Sequence, residues 1–222
     1  LAEERYALSF TPQITASKIG NFGEGNKKYP IGIAIIVGLV SASFENFLLF
    51  HSVAELFSII ISCSVFIVAW NTRKFAHNDY LLFLGISYLV VGMIDMGHTL
   101  AYKGIHIFTG YGANLPTQLW LGARFMESIS LAIAPIFFTR RLNANGTITI
   151  YLSIFALILG SLFVWPVFPD CFHEGTGLTA FKKFSEYTIS LILLGAIVFL
   201  YRKRQFIERG ILRLVIVSIV LT

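Results

Sequence analysis

Ionisable side chains recur in pairs inside the apolar stretches of this 222-residue chain. Within each pair the residues are three or four positions apart, so both members would share one face of a helix. The pairs are His51 with Glu55, Asp95 with His98, and Arg124 with Glu127, and Glu186 stands alone near the start of a later apolar stretch. Because a charge at membrane depth costs several kcal/mol unless it is paired or hydrated, these residues are the candidates for function.

Metal coordination is the first chemistry that these residue types suggest. Imidazole nitrogens and carboxylate oxygens are the ligands that zinc, iron, copper or manganese accept. Carboxylate–histidine pairs three residues apart also bind di-metal centres in helical bundles. The candidate metal ligands are His51, Glu55, Asp95, His98 and Glu127, with Arg124 as a counter-charge and Glu186 as a further ligand-binding residue.

Two other interpretations of the same residues stay open. A purely structural network would pair Arg124 with Glu127 or Asp95 and would hold neighbouring helices together through hydrogen bonds. A haem between His51 and His98 is a further alternative, although the chain has neither a CxxCH attachment sequence nor a second pair of histidines to support it. A loop metal site near Cys171, which has a histidine and a glutamate close by, is a smaller possibility.

The composition excludes a soluble globular protein. Hydrophobic residues make up 56% of the chain and charged residues only 13%, against about 25% charged residues in a typical soluble domain. Two cysteines exclude a disulfide framework. The net charge of +5 is better explained by membrane orientation than by nucleic-acid binding. We find no Walker loop, dinucleotide fingerprint, GxSxG or HExxH motif of a soluble enzyme.

Seven apolar segments follow a polar start, which predicts an all-α, polytopic membrane bundle. Continuous apolar runs also argue against the alternating strands of a barrel. We predict a weakly ordered tail over residues 1–28 and a membrane-embedded sensor domain over 29–222. The last segment is too short to span at Thr222, so we expect the chain to be a fragment. The segments are 30–43, 46–70, 79–101, 117–139, 147–165, 185–201 and a seventh from about 211.

The distribution of basic residues predicts the orientation. If the tail is cytoplasmic, 13 Lys and Arg residues fall on the cytoplasmic side and 3 on the outer side, where Lys182 and Lys183 are counted as loop residues. Such an asymmetry favours an N-terminus inside. With that orientation the ionisable residues lie at similar depths in the outer half of the bilayer. We therefore predict a pocket between the second, third, fourth and sixth segments.

Four stretches resemble a known family, the bacterial membrane-associated sensor domains of the third type. They are NFLLFHSVAELFSIIISCSVFIVAWNTRKF, NDYLLFLGISYLVVGMIDMGHTLAYKG, NLPTQLWLGARFMESISLAIAP and CFHEGTGLTAFKKFSEY. The resemblance covers about residues 30–222, and the family's motif residues correspond here to the three pairs and Glu186. It implies an input domain that continues through an eighth helix to a cytoplasmic histidine kinase or diguanylate cyclase.

The expected function is therefore sensory. The domain would lie in the bacterial inner membrane, detect an unknown small ligand or ion, and act within a homodimer of the full-length protein. Two alternatives remain: a membrane-embedded metal-dependent hydrolase with Glu55 or Glu127 as its base, and a structural anchor or dimerisation unit without a ligand.

Overall fold

The structure, a computed structural model, describes residues 37–38, 40–41, 43–76 and 78–221. The predicted tail at 1–28, most of the first apolar segment, and His77 lie outside these residues. The chain divides into two units, Leu1–Phe50 and His51–Thr222, and the packing and the site described below belong to the second. The boundary predicted between residues 28 and 29 stays a prediction.

The described part of the chain is mainly helical, which confirms the all-α prediction. The helices are α1 (Phe47–Ala76), α2 (Asp79–Ala101), α3 (Asn114–Ile133), α4 (Ala144–Leu159), α5 (Ala180–Arg202) and α6 (Arg209–Leu221). Shorter turns are the 3-10 helices Ala134–Phe138 and Arg204–Phe206 and the π-helix Gly160–Val164. A small antiparallel hairpin, β1 (Phe172–His173) with β2 (Gly177–Leu178), lies in the connection between α4 and α5.

Five of the described helices are long and apolar enough to cross a membrane. They are Phe47–Phe75, Asp79–Ala101, Asn114–Phe138, Ala144–Val164 and Ala180–Arg202. Together they make the chain a multi-pass membrane protein. The seven predicted segments and the cytoplasmic N-terminus remain predictions.

Local sequence signals explain where three of these helices begin. The side chain of Asn78 accepts a hydrogen bond from the Leu81 amide at 3.0 Å, and that of Asn143 accepts one from the Gly146 amide at 3.1 Å. Thr179 does the same for the Lys182 amide at 3.2 Å. Each cap satisfies a backbone donor that the first turn of a helix leaves without a partner.

Several predicted boundaries were wrong. The second segment was predicted to end at 70 but α1 ends at Ala76, and the fifth was predicted from 147 but α4 begins at Ala144. The fourth segment was predicted from 117 but α3 begins at Asn114, and the sixth was predicted from 185 but α5 begins at Ala180. In both cases the first helical turn carries polar side chains, which hydropathy assigns to a loop. Lys182 and Lys183, counted as loop residues, therefore lie on a helix.

The core is centred on α2 and α3, which contain most of the buried residues. Helix α2 packs against α3 and α4, α3 packs against α5, and α5 packs against α6. By contrast, α1 and α4 contain few buried residues, as expected of helices that face lipid.

Two glycines bring α1 and α2 close together. A Cβ atom on Gly85 would lie 2.6 Å from the Ala69 Cβ, and one on Gly92 would lie 3.0 Å from the Ser62 Cβ. Small residues at such positions allow helix backbones to approach closely in a membrane. As the α2 position rises from 85 to 92, its α1 partner falls from 69 to 62, so the two helices run antiparallel. Within the second unit, the part of α1 that follows His51 therefore lies beside the end of α2.

Candidate functional site

Two histidines and a glutamate meet where α1 begins and α2 ends. His51 and Glu55 lie one turn apart on α1, and His98 lies on the last turn of α2. One ligand atom from each of the three side chains lies within 4.8 Å of the others. The His98 Nε2 and a Glu55 carboxylate oxygen are 3.8 Å apart. Among the described residues, these three form the one group of His, Cys, Asp or Glu side chains that are close enough together to hold a metal ion.

A backbone carbonyl fixes the proton on His98. The His98 Nδ1 lies 2.7 Å from the carbonyl oxygen of Pro116, on the first turn of α3. Because a carbonyl oxygen can only accept, Nδ1 must donate its proton. In the neutral ring this leaves the lone pair on Nε2, the nitrogen that faces Glu55. Metal-binding histidines commonly have this arrangement, in which the second nitrogen donates to an oxygen acceptor.

Aromatic packing holds the His51 ring. Its centroid lies 4.2 Å from that of Tyr102 and 5.5 Å from that of His98, with the two imidazole planes nearly perpendicular. His51 is half-buried, whereas the His98 side chain is 8% exposed and that of Glu55 is 22% exposed. His98 is thus buried, whereas His51 and Glu55 on α1 are partly exposed.

A second cluster joins α2 to α3 through Arg124. Its Nη2 donates to both Asp95 carboxylate oxygens, at 3.0 and 2.8 Å, and its Nη1 donates to Glu127. The Tyr88 hydroxyl donates to the other Glu127 oxygen at 3.1 Å. The Asp95 and Glu127 side chains are 3% and 7% exposed. The sequence analysis proposed either Asp95 or Glu127 as the ion-pair partner of Arg124. In the structure, Arg124 pairs with both.

The two clusters together contain three carboxyl groups, from Glu55, Asp95 and Glu127, but only one guanidinium, from Arg124. Glu55 interacts electrostatically with Asp95 and with Arg124, so the triad and the Arg124 cluster are electrostatic neighbours. With three ionised carboxylates, one guanidinium and neutral imidazoles, the formal charge is −2. A net charge inside a membrane protein is costly unless an ion or protons compensate it. A divalent cation would balance it.

Glu186 does not join these clusters. Its carboxylate accepts a hydrogen bond from the Lys182 ammonium at 2.5 Å, one turn away on α5. The Lys182 nitrogen also lies 3.7 Å from the ring centroid of Trp120 on α3. This buried lysine was missed because it had been counted in a loop. The spacing of Lys182 and Glu186, four residues apart, was the signal that could have identified the pair.

The first turn of α3 also holds the connection that precedes α5. The Gln118 amide donates to the carbonyls of Phe168 and Pro169, at 3.1 and 3.0 Å. The Asn114 side-chain oxygen accepts from the Cys171 and Phe172 amides, at 2.8 and 3.0 Å. The Pro116 carbonyl, which binds His98, lies between these two residues. The sequence gave no signal of this link, since any residue can supply a backbone carbonyl.

Cys171 is buried within the protein and is not part of a metal-ligand group among the described residues. It packs with Leu121 and Ile189. Burial raises the pKa of its thiol to about 11. Its neighbours His173 and Glu174 are exposed, and Glu174 forms an ion pair with Lys103. The loop metal site considered at Cys171 therefore has no geometric support.

This raised pKa predicts that Cys171 resists alkylation. Because the thiolate is the nucleophile, a rise of two units from 9 lowers the reactive fraction at pH 8 by about 100-fold. In a Cys63→Ala background, mass spectrometry with iodoacetamide should show slow modification of the native chain and fast modification in SDS. Equal rates in the two states would contradict the burial of this thiol.

A comparison with protein families identifies most of the chain. A family model described as MASE3, membrane-associated sensor domain, matches residues 42–222, which is most of the chain. No curated protein and no solved structure matches the chain.

Proposed function

Because the chain belongs to the MASE3 family of membrane-associated sensor domains, we propose that it is a sensory input domain that detects a divalent transition-metal ion. The family supports a sensory role in the membrane. The observation that supports the ion is the convergence of His51, Glu55 and His98, with ligand atoms within 4.8 Å of one another.

The donor set suits a first-row transition metal. Two imidazole nitrogens and one carboxylate oxygen match the ligands of zinc, and iron, copper and manganese accept them too. Ligands around a tetrahedral zinc ion are separated by roughly 3.4 Å, given bonds of about 2.1 Å. The ligand atoms, which now lie within 4.8 Å of one another, would have to move closer together to reach this spacing.

Asp95, Arg124 and Glu127 support this site from α2 and α3. The predicted metal ligands included Asp95 and Glu127, but both carboxylates are engaged by Arg124. We assign them the role of charged neighbours that make the site electrostatically attractive to a cation. Glu186, paired with Lys182, is left out of the proposed site.

The ion would connect α1 to α2, and this connection suggests how a signal could pass through the domain. An ion that binds one arrangement of α1 and α2 better than another shifts the equilibrium towards that arrangement. We propose that the change passes to α5 and α6 through α3, which contacts α5, and then to a cytoplasmic histidine kinase or diguanylate cyclase. The proposal places the domain in a bacterial inner membrane, within a homodimer, with its N-terminus inside.

Metal analysis of the detergent-purified chain tests the proposal. We expect near-stoichiometric zinc, iron, copper or manganese in the wild type, and little in His98→Ala. The loss of affinity should exceed the roughly 10- to 100-fold produced by removal of an outer-shell partner. His173→Ala is the matched control, because His173 is an exposed histidine outside the triad and should leave the metal content unchanged.

The same preparations test the competing interpretations. A folded wild-type chain that takes up none of the four metals would overturn the proposal and favour a structural network of Asp95, Arg124 and Glu127. A strong absorption band near 400 nm would identify a haem instead. Turnover of a lipid or small-molecule substrate by the metal-loaded chain would favour the hydrolase.

A further inference from the structure

An elongated apolar crevice separates part of α3 from α4. Its volume is about 460 Å³, within the range of about 300–1,000 Å³ that is typical of ligand sites. One wall runs from Gly122 to Ile133 along α3 and continues to Phe137 on the 3-10 helix that follows, and the other runs from Thr147 to Ile158 along α4. At 1.5 Å per residue, the α4 wall alone is about 16 Å long. The crevice is therefore a channel parallel to two membrane-spanning helices.

The crevice opens sideways onto the surface that would face lipid. Ile129 on α3 and Ile150 and Ile154 on α4 line it and are exposed. Both helices belong to membrane-spanning segments, so the medium outside this opening is hydrocarbon. Water would not fill a space lined in this way, since buried water needs several polar partners. An empty crevice would forfeit the dispersion contacts of its walls.

The few hydroxyl groups in the wall offer no free donor to a polar ligand. Thr147 donates to the Asn143 carbonyl at 2.9 Å, and Ser130 donates to the Met126 carbonyl at 2.6 Å. Tyr151 lies 2.6 Å from the Ser130 oxygen, and since the Ser130 proton is already used, Tyr151 must be the donor. A lipid ester carbonyl or a carboxylate could only accept and would find no partner here. The crevice therefore favours a hydrocarbon chain over a head group.

From this geometry we propose that the crevice binds one acyl chain of a bilayer phospholipid. The length, the apolar lining, the lateral opening and the absence of a free donor in the three wall hydroxyls all fit such a chain. The bound chain would differ from ordinary boundary lipid because it lies between two helices rather than on a convex surface. This proposal is independent of the metal site.

Photo-crosslinking in lipid nanodiscs tests the proposal. A small fraction of the phospholipid carries a diazirine at the end of one acyl chain, and mass spectrometry maps the labelled peptides of the full chain. We expect labels to concentrate on the two crevice walls, above the level on the exposed α1 residues Phe57 and Ile60, which would touch only boundary lipid. Even labelling of all exposed helix surfaces would overturn the proposal.

A matched pair of variants makes the test specific. Ile154→Trp should fill the crevice and reduce its labelling several-fold, whereas Leu152→Trp should not. The two residues are on α4 with exposures of 40% and 43%, but only Ile154 lines the crevice. If Ile154→Trp does not fold, Ile129→Trp on the opposite wall serves instead.

Two further outcomes would also overturn the proposal. If the wild-type crevice is unlabelled and the chain is dimeric, a second copy covers the crevice. If free oleic acid that carries the diazirine labels the walls but the phospholipid does not, the occupant is a free fatty acid rather than a bilayer phospholipid.

Discussion

Arg124→Met is expected to lower the free energy of unfolding by about 3–5 kcal/mol, the usual effect of removing one partner from a buried ion pair. The variant leaves Asp95 and Glu127 facing each other with exposures of 3% and 7% and no guanidinium between them. Methionine keeps the length of the side chain, so the expected loss is electrostatic rather than a cavity. Unfolding by SDS titration, followed by circular dichroism, measures it.

A second variant separates the electrostatic contribution of Arg124 to stability from its packing contribution. Arg124→Met combined with Asp95→Asn and Glu127→Gln removes all three charges and should recover most of the lost stability, because neutral amides are far cheaper to bury than carboxylates. Arg141→Met, at an exposed arginine, is the control and should change little. If Arg124→Met is as stable as the wild type, the cluster is solvated and the charge argument fails.

Gly85→Leu should disturb both stability and metal binding. The Cβ atom alone would meet the Ala69 Cβ at 2.6 Å, so α1 and α2 would have to separate. Overpacking of this kind typically costs about 1–3 kcal/mol. Since His51 and Glu55 lie on α1 and His98 lies on α2, the separation should also weaken zinc binding, although Gly85 is more than three helical turns from His98. SDS titration and zinc titration of the same sample give the two values.

Gly195→Leu is the matched control for this substitution. Gly195 is also a helical glycine, on α5, and a Cβ placed there meets nothing within 4 Å. It should leave zinc affinity unchanged and alter stability little. Unchanged zinc affinity in Gly85→Leu would mean that the close approach of the two helices does not position the triad.

The paired spacing in the sequence predicted much of the candidate site. His51 with Glu55 and Asp95 with His98 share helix faces as expected, because helical periodicity alone fixes that relation. Glu186 was included because of its predicted depth. However, the depth of a residue in the membrane does not fix the direction of its side chain around the helix axis. A residue at the same depth as a cluster can therefore point away from it. Its pairing with Lys182 depends on the direction in which α5 presents both side chains.

Other features were beyond sequence reasoning for different physical reasons. The Pro116 carbonyl that orients His98 has no side-chain signature, so only the packing of α2 on α3 identifies it. Asn114 lies on the first turn of α3, which hydropathy assigns to a loop, and Gln118 lies within the predicted segment, but the backbone groups that both side chains bind have no sequence signature. The crevice is a property of the space between α3 and α4, which composition does not encode.

Because α1 has few buried residues, the proposed ion would contribute to holding this helix against the rest of the domain. From His51 to Phe75, where the burial of every residue is described, the buried residues of this helix are Ile59, Ser62 and Ala69. Because α1 would supply two ligands and α2 the third, a bound ion would connect a helix with few buried residues to the helix with the most. By mass action, a higher free metal concentration would then make the detachment of α1 less favourable. Above the dissociation constant, the free energy that stabilises the attached state grows with the logarithm of the metal concentration. The fraction of domains with α1 held against α2 would then rise gradually with the metal concentration. The range of concentrations over which it rises would depend on how weakly α1 packs without the ion.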